Sequence, residues 1–130
     1  QIQFYEEIAA SRPFRLIRDL SRISSTQMQS EIIAAVRSFG KRRTAIFAPS
    51  DQNARSILLR MDEAGFKIPE FAGLIGFYGC RQATEYSPRL PSVQVKPELI
   101  GELAARLAIA PTGRVEVCKV PMEFQFGETI

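Results

Sequence analysis

The stretch Arg43–Pro69, RTAIFAPSDQNARSILLRMDEAGFKIP, decides the predicted fold. Its first part, Thr44–Ala48, is a short and nearly all-apolar run, which is typical of a strand covered on both faces, as in a parallel sheet. Ser50 and Asp51 follow Pro49 and can cap a helix, because their side-chain oxygens accept hydrogen bonds from free N–H groups of its first turn. Apolar residues at helical spacing predict that this helix buries one face, and they are Ala54, Ile57, Leu58, Met61 and Ala64.

A second buried strand follows this helix after a short turn. Gly65 is placed to end the helix, and Pro69 prevents its continuation. The next apolar run, Phe71–Phe77, predicts the second strand. A strand, a helix and a strand joined so tightly form a right-handed βαβ unit. We therefore predict an α/β fold, a three-layer sandwich of helices around a parallel sheet.

The rest of the chain continues the alternation of helices and strands. Apolar periodicity, caps and prolines supply the signals. The other predicted elements, in chain order, are the end of a helix at Phe4–Ala10, a weak edge strand at Phe14–Ile17, a helix capped by Ser24–Thr26 and ending near Gly40, a loop at Tyr78–Arg81, a short strand at Ser92–Val95, a helix from Pro97 to about Ile109, and an extended tail at Val115–Phe126, interrupted by Pro121, at the rim of the sheet.

Composition narrows the function classes. The chain has 130 residues with 45% hydrophobic content, which suits one domain with a real core. It contains no run that resembles a signal peptide or could cross a bilayer, so we expect a cytoplasmic protein with no membrane partner. Cys80 and Cys118 are too few and too far apart for a disulfide framework or a zinc site, and histidine is absent. We therefore predict no metal, no cofactor and no catalytic residue.

The carboxyl ends of the predicted strands are the expected ligand site. In open α/β sheets ligands bind at that edge, and the loop Tyr78–Arg81 follows a central strand there. Ser50 and Asp51 follow the neighbouring strand, so their capping role is compatible with facing the same cleft. The Tyr78 ring could stack on a sugar while its hydroxyl donates or accepts a hydrogen bond.

Four segments, in this order, resemble the effector-binding domain of the LacI/GalR transcription regulators. The first is similar to the family's run of strand, Asn-Asp pair, Ala-containing helix, Gly and Pro. The second is similar to its strand ending in Gly-Phe/Tyr-Asp, and the third to its Pro-Leu-Thr-Thr-Val segment with the following helix. The fourth resembles its terminal Pro-x-x-Leu/Phe-x-x-Arg-x-Ser/Thr. These segments are Thr44–Glu70, Leu74–Cys80, Pro88–Leu107 and Val120–Ile130.

The resemblance implies a periplasmic binding protein type I-like lobe. Residues 1–130 would be the second lobe of an effector-binding domain, and residues 96–119 would cross to a first lobe that the chain does not include. In the family the helix that begins near Glu98 packs on that first lobe. Burying a leucine side chain is worth roughly 1.5–3 kcal/mol, and this helix carries Leu99, Leu103 and Leu107 in one stripe. We therefore predict that the helix either folds back on this lobe or is buried against a second chain.

The resemblance also implies the site residues. Effector-binding positions correspond to Ser24, Ser50, Asp51, Tyr78 and Gln1. Ser50 stands where the family has Asn, Tyr78 where sugar-responsive members have Asp, and Gln1 where they have Arg. Sugar hydroxyls are usually held by charged or bidentate partners, so these replacements argue against ordinary hexose recognition.

The leading hypothesis is therefore a sensing and dimerisation lobe of a bacterial transcriptional regulator, such as a repressor, that takes a small-molecule effector, a sugar or related compound. Operator DNA would be bound by a DNA-binding domain absent from this chain. The implied homodimer interface is formed by Gln52, Arg55, Leu58, Gln82 and Tyr86. The alternative is a small α/β enzyme acting on a sugar or sugar phosphate. It would need clustered catalytic groups or a Gly-rich phosphate loop, whereas Asp19, Asp51 and Asp62 have no clustered spacing.

Overall fold

The computed structural model describes residues 24–130 apart from positions 86, 111, 112 and 116, and apart from the side chains of Ser25, Gln82 and Thr84. The predictions for Gln1, Phe4–Ala10 and Phe14–Ile17 lie outside this range. The described elements, in chain order, are α1 (Ser25–Ser38), β1 (Ala45–Phe47), α2 (Asp51–Glu63), β2 (Gly73–Tyr78), α3 (Arg81–Thr84), β3 (Ser92–Gln94), α4 (Pro97–Ile109) and β4 (Glu123–Gln125).

The four strands form one sheet in the order β1-β2-β3-β4. β1, β2 and β3 are parallel, and β4 pairs antiparallel with β3 at the edge. The α/β class and the position of the tail at the rim are confirmed, while the sheet is mixed rather than wholly parallel. The reason is the path of the chain: Gln94 pairs with Glu123, so the chain returns to the same end of the sheet at which it left.

The core lies between the sheet and helices α1 and α2. Both helices begin at the predicted caps, because Ser24 accepts a hydrogen bond from the N–H of Gln27 and Ser50 accepts one from the N–H of Asn53. The predicted apolar stripe of α2 packs beside β2. Its most buried members lie against Leu74 of the strand and Ile32 of α1 in one cluster, and they are Ala54, Ile57 and Met61. The two helices thus form one of the two helical layers that the sequence predicts.

Among the described residues, helix α4 contributes none to the core cluster. None of its residues is buried, and the stripe of Leu99, Leu103 and Leu107 is only half-buried. The neighbouring Ile100 is exposed. That this helix either folds back on this lobe or is buried against a second chain stays a prediction. Within the described residues, no helix has the length and apolar character that crossing a membrane requires.

The C-terminal tail is fastened to the sheet beyond β4. Thr129 is fully buried, and its hydroxyl donates to the carbonyl of Leu74 at 2.8 Å. The N–H of Leu74 in turn donates to the carbonyl of Thr129 at 2.7 Å. Gly127 permits this path, because a Cβ there would lie 2.3 Å from the nitrogen of Pro91. Hydrogen bonds in both directions between Arg89 and Glu128 secure the adjacent turn.

Replacing Thr129 with Val should lower the free energy of unfolding by about 1–2 kcal/mol, because the isosteric side chain leaves the carbonyl of Leu74 without its hydroxyl donor in a buried place. Urea denaturation measures the change. The matched control is Ser30→Ala, which removes an exposed hydroxyl bonded to the carbonyl of Thr26 and should change stability little. Equal effects of the two substitutions would contradict the role given to Thr129.

Candidate functional site

The candidate site lies at the carboxyl edge of the three parallel strands. Ser50 follows β1, Tyr78 ends β2, and Lys96 follows β3. Because parallel strands end on the same side of a sheet, these residues share one edge. The structure therefore brings together Ser50, Asp51 and Tyr78, three of the residues predicted from the sequence.

Asp51 is enclosed at this edge and does not face solvent. It is 0% exposed, and both of its carboxylate oxygens accept hydrogen bonds. The hydroxyl of Ser92 donates to Oδ1 at 2.5 Å, and the backbone N–H of Cys80 donates to Oδ2 at 2.7 Å. Ser92 is itself fully buried and accepts from the N–H of Gly79 at 3.0 Å. In this arrangement Asp51 joins three segments of the lobe and presents no oxygen to a solute.

Two glycines make room for this network. A Cβ at Gly76 would lie 2.2 Å from Oδ1 of Asp51 and 3.2 Å from its Cα, so only glycine lets the start of α2 rest on β2. Gly79 adopts φ 68°, and a Cβ there would lie 2.9 Å from the Cα of Gln94. Both positions belong to the segment that resembled the family strand. The close approach of the backbone explains why that segment has glycine there.

Tyr78 is the prominent exposed side chain at the edge. It is 57% exposed, and its ring makes an edge contact with Phe77 at 5.0 Å between centroids. Phe77 in turn contacts Phe47, the last residue of β1, at 6.1 Å. We call Phe47, Phe77 and Tyr78 the aromatic cluster. Sequence reasoning identified Tyr78 alone. The signal for Phe47 was its place at the carboxyl end of a strand whose alternation turns it away from the core.

The remaining predicted effector positions have simpler surroundings. Ser50 is half-buried and serves as the cap of α2, with its oxygen 3.1 Å from the N–H of Asn53. Ser24 is exposed and caps α1, where Gln27 reciprocates by accepting from the N–H of Ser24 at 2.9 Å. Both capping roles are confirmed. Contact of either residue with an effector stays a prediction.

The predicted interface residues differ in exposure. Gln52 is exposed, and Arg55 is half-buried with Nη2 3.5 Å from the carbonyl of Ser87. Leu58, by contrast, is 7% exposed and belongs to the core, so the outward apolar residue of α2 is Leu59, which is 52% exposed. The burial of Leu58 agrees with the apolar pattern of α2, whereas its place at the interface came from the family resemblance alone. Tyr86 and the side chain of Gln82 lie outside the described residues.

Side-chain pairs join β3 and β4 where the chain leaves and re-enters the sheet. The amide of Gln94 donates to the side-chain oxygen of Gln125 at 2.5 Å. Lys96 forms an ion pair with Glu123 across the same two segments. Both pairs lie at the carboxyl end of β3, which belongs to the candidate edge. In the part of the chain that the structure describes, no three His, Cys, Asp or Glu residues are grouped as a metal site would require.

Gly76→Ala should destabilise the lobe by about 3 kcal/mol, because its Cβ would have to displace the Asp51 carboxylate and the first turn of α2. Gly101→Ala is the control. A Cβ at Gly101, inside α4, meets no atom within 4 Å, and the substitution should stabilise by about 0.5–1 kcal/mol. Thermal unfolding followed by circular dichroism measures both. Tolerance of alanine at position 76 would contradict the close packing described.

Known proteins and a family model are similar to this chain. The family model described as a periplasmic binding protein-like domain matches residues 6–119. The HTH-type transcriptional repressor PurR of Photorhabdus laumondii is 31% identical over 64 residues, which are 49% of this chain and 19% of the repressor. The chain therefore matches about a fifth of that curated relative.

Solved structures have the same fold. A LacI family transcriptional regulator from Silicibacter pomeroyi aligns with a TM-score of 0.67 and 22% identity, over 98% of this chain and 47% of that one. A LacI family transcriptional regulator from Enterococcus faecium with bound ribose aligns with a TM-score of 0.64 and 21% identity, over 81% of this chain and 38% of that one. The chain therefore belongs to the family of periplasmic binding protein-like domains, and its resemblance to the effector domain of LacI/GalR regulators is confirmed.

Proposed function

We propose that this chain is the effector-binding and dimerisation lobe of a cytoplasmic transcriptional regulator that binds operator DNA through a separate domain. The observation that carries the proposal is the carboxyl edge, where Ser50 and the aromatic cluster lie on adjacent strands of a periplasmic binding protein-like fold. The bound ribose of the Enterococcus faecium regulator supports a small-molecule effector for this fold. An enzymatic role is the alternative that a turnover assay would reveal.

The chemistry of the edge favours a ligand with a flat, weakly polar face. The carboxylate of Asp51 is fully occupied by Ser92 and Cys80, so it is not available to bind hydroxyl groups of a ligand. The exposed ring of Tyr78 supplies an apolar surface and one hydroxyl, and Phe47 adds a second exposed ring. Aromatic rings stack on the C–H face of a sugar or on a planar heterocycle. We infer an effector that is a sugar or related compound, held by stacking more than by ionised groups.

The proposed response is closure of two lobes around the effector. The paired crossings, Gln94 with Gln125 and Lys96 with Glu123, provide a double connection at the edge of the site. The leucine stripe of α4 supports its packing on a first lobe, since these leucines are only half-buried and lie outside the core cluster of the described residues. An effector that binds the closed form more tightly than the open form shifts the balance between them and thereby changes operator binding.

Isothermal titration of the full-length protein with pentoses, hexoses and purines tests the effector proposal. We expect at least one of these compounds to bind, and Tyr78→Ala to weaken that binding about tenfold because it removes the stacking surface. Phe126→Ala is the control, since this exposed aromatic follows β4, which runs away from the carboxyl edge. Turnover of a compound would support the enzyme alternative, and equal loss in both variants would contradict the site.

The proposed dimer uses the outward face of α2. Gln52 and Leu59 are exposed there, and Arg55, which lies between them on the same face, is half-buried. An exposed leucine on an otherwise polar helix face suits the apolar centre of an interface. In this proposal Leu59 takes the interface role that the family resemblance had implied for Leu58.

Leu59→Glu should raise the dimer dissociation constant of the full-length protein at least about tenfold, because it introduces a charge at the centre of the proposed interface. Sedimentation velocity over a range of concentrations measures this change. Phe126→Glu, also an exposed apolar side chain, should leave the dissociation constant unchanged. A dimer that tolerates Glu at position 59 would rule out this face.

A further inference from the structure

The backbone of Tyr78 is strained. Its φ angle is 96°. Among the described residues, Tyr78 alone has a positive φ without being glycine. This region is unfavourable for a bulky side chain, because Cβ approaches the backbone too closely, whereas glycine and asparagine tolerate it. The next residue, Gly79, also has positive φ, at 68°, so two consecutive residues form a sharp turn at the end of β2.

A buried set of hydrogen bonds holds this turn in place. The N–H groups of the two residues that follow Tyr78 are both engaged: that of Gly79 donates to the hydroxyl of Ser92, and that of Cys80 donates to the carboxylate of Asp51. Ser92 and Asp51 are joined to each other by a 2.5 Å hydrogen bond, and neither is exposed. We call these three hydrogen bonds the brace. They anchor the turn to the first turn of α2 and to the first residue of β3.

Folding of the lobe does not account for a tyrosine at this position. More than half of its surface is exposed, so burial offsets little of the backbone strain. Strained backbone that the surrounding structure enforces is characteristic of binding and catalytic sites. The exposed ring also lies on the edge where ligands of this fold class bind.

We propose that Asp51 and Ser92 are positioning residues, whose buried hydrogen bonds hold Tyr78 in a strained backbone conformation that presents its ring to the effector. This inference rests on the proposed function and assigns the specificity-determining contact to Tyr78. A contact held ready in this way adds affinity because the ligand does not have to order it on binding. Asp51, which the sequence suggested as a ligand contact, then acts through the turn instead.

A double-mutant cycle tests the coupling without any ligand. Tyr78→Asn should relieve the strain and lower the unfolding equilibrium constant of the full chain about fivefold in urea denaturation. Asp51→Asn should weaken the brace, because an amide cannot accept from both Ser92 and Cys80, so the turn relaxes. In the Asp51→Asn background the gain from Tyr78→Asn should therefore largely disappear. An unchanged gain in both backgrounds, or a loss of stability from Tyr78→Asn alone, overturns the proposal.

Ser92 supplies a second route to the same test if Asp51→Asn does not fold. Ser92→Ala removes the hydroxyl that links Gly79 to Asp51, whereas Ser92→Thr retains it. The stability gained by Tyr78→Asn should be lost in the Ser92→Ala background and retained in the Ser92→Thr background. Amide hydrogen exchange at Gly79 should be about tenfold faster in Ser92→Ala than in Ser92→Thr. Equal exchange in the two variants overturns the brace.

The effect of the same substitutions on ligand binding is measured by isothermal titration with ribose. Tyr78→Asn should lower ribose affinity about tenfold while raising stability, and a purely structural residue would not produce these opposite signs. Ser92→Ala should also lower the affinity, whereas Thr129→Val, which destabilises the lobe away from this turn, should not. If Thr129→Val weakens binding as much as Ser92→Ala, the positioning role fails. If the unaltered protein does not bind ribose, the compound of the panel that it does bind replaces ribose as the probe. If no compound of the panel binds, the effector proposal fails, and the stability cycle still decides the brace separately.

Discussion

The hydrogen bonds of one buried carboxylate hold the carboxyl edge of this lobe together. Asp51 opens α2, yet its oxygens reach the loop after β2 and the start of β3. Removing a carboxylate from water is expensive unless its oxygens are satisfied, and here both accept strong donors. The position of α2 on the sheet, the turn at Tyr78 and the first residue of β3 are therefore fixed relative to one another by the same group.

The structure gives Ser50 and Asp51 different roles, although the sequence had suggested that they act together as a cap that faces the cleft. Ser50 and Asp51 are adjacent in sequence, but the cap of α2 is Ser50, while Asp51 is directed inward to the strand ends. The surface left at the edge is aromatic, with Tyr78 and Phe47 outward and Phe77 between them. The proposed effector would be selected by shape and stacking, because both carboxylate oxygens of Asp51 already accept hydrogen bonds within the fold.

The lobe also has apolar surface that its own core does not use. The stripe of α4 is half-buried, and Ile100 beside it is exposed. Meanwhile β3 and β4 are joined by side chains at the point where the chain leaves and returns. These features support the proposed arrangement of two lobes around an effector.

Local sequence signals determined most of the secondary structure. Apolar periodicity and caps predicted α1, α2 and the strands, because those signals act over three or four residues and the side chains that carry them are adjacent in the chain. Tertiary structure alone decided the rest. The burial of Asp51 depends on Ser92, 41 residues away, which local signals do not connect to it. The positive φ of Tyr78 likewise has no local sequence signal, and the hydrogen bonds of the two residues that follow it reach separate elements of the fold.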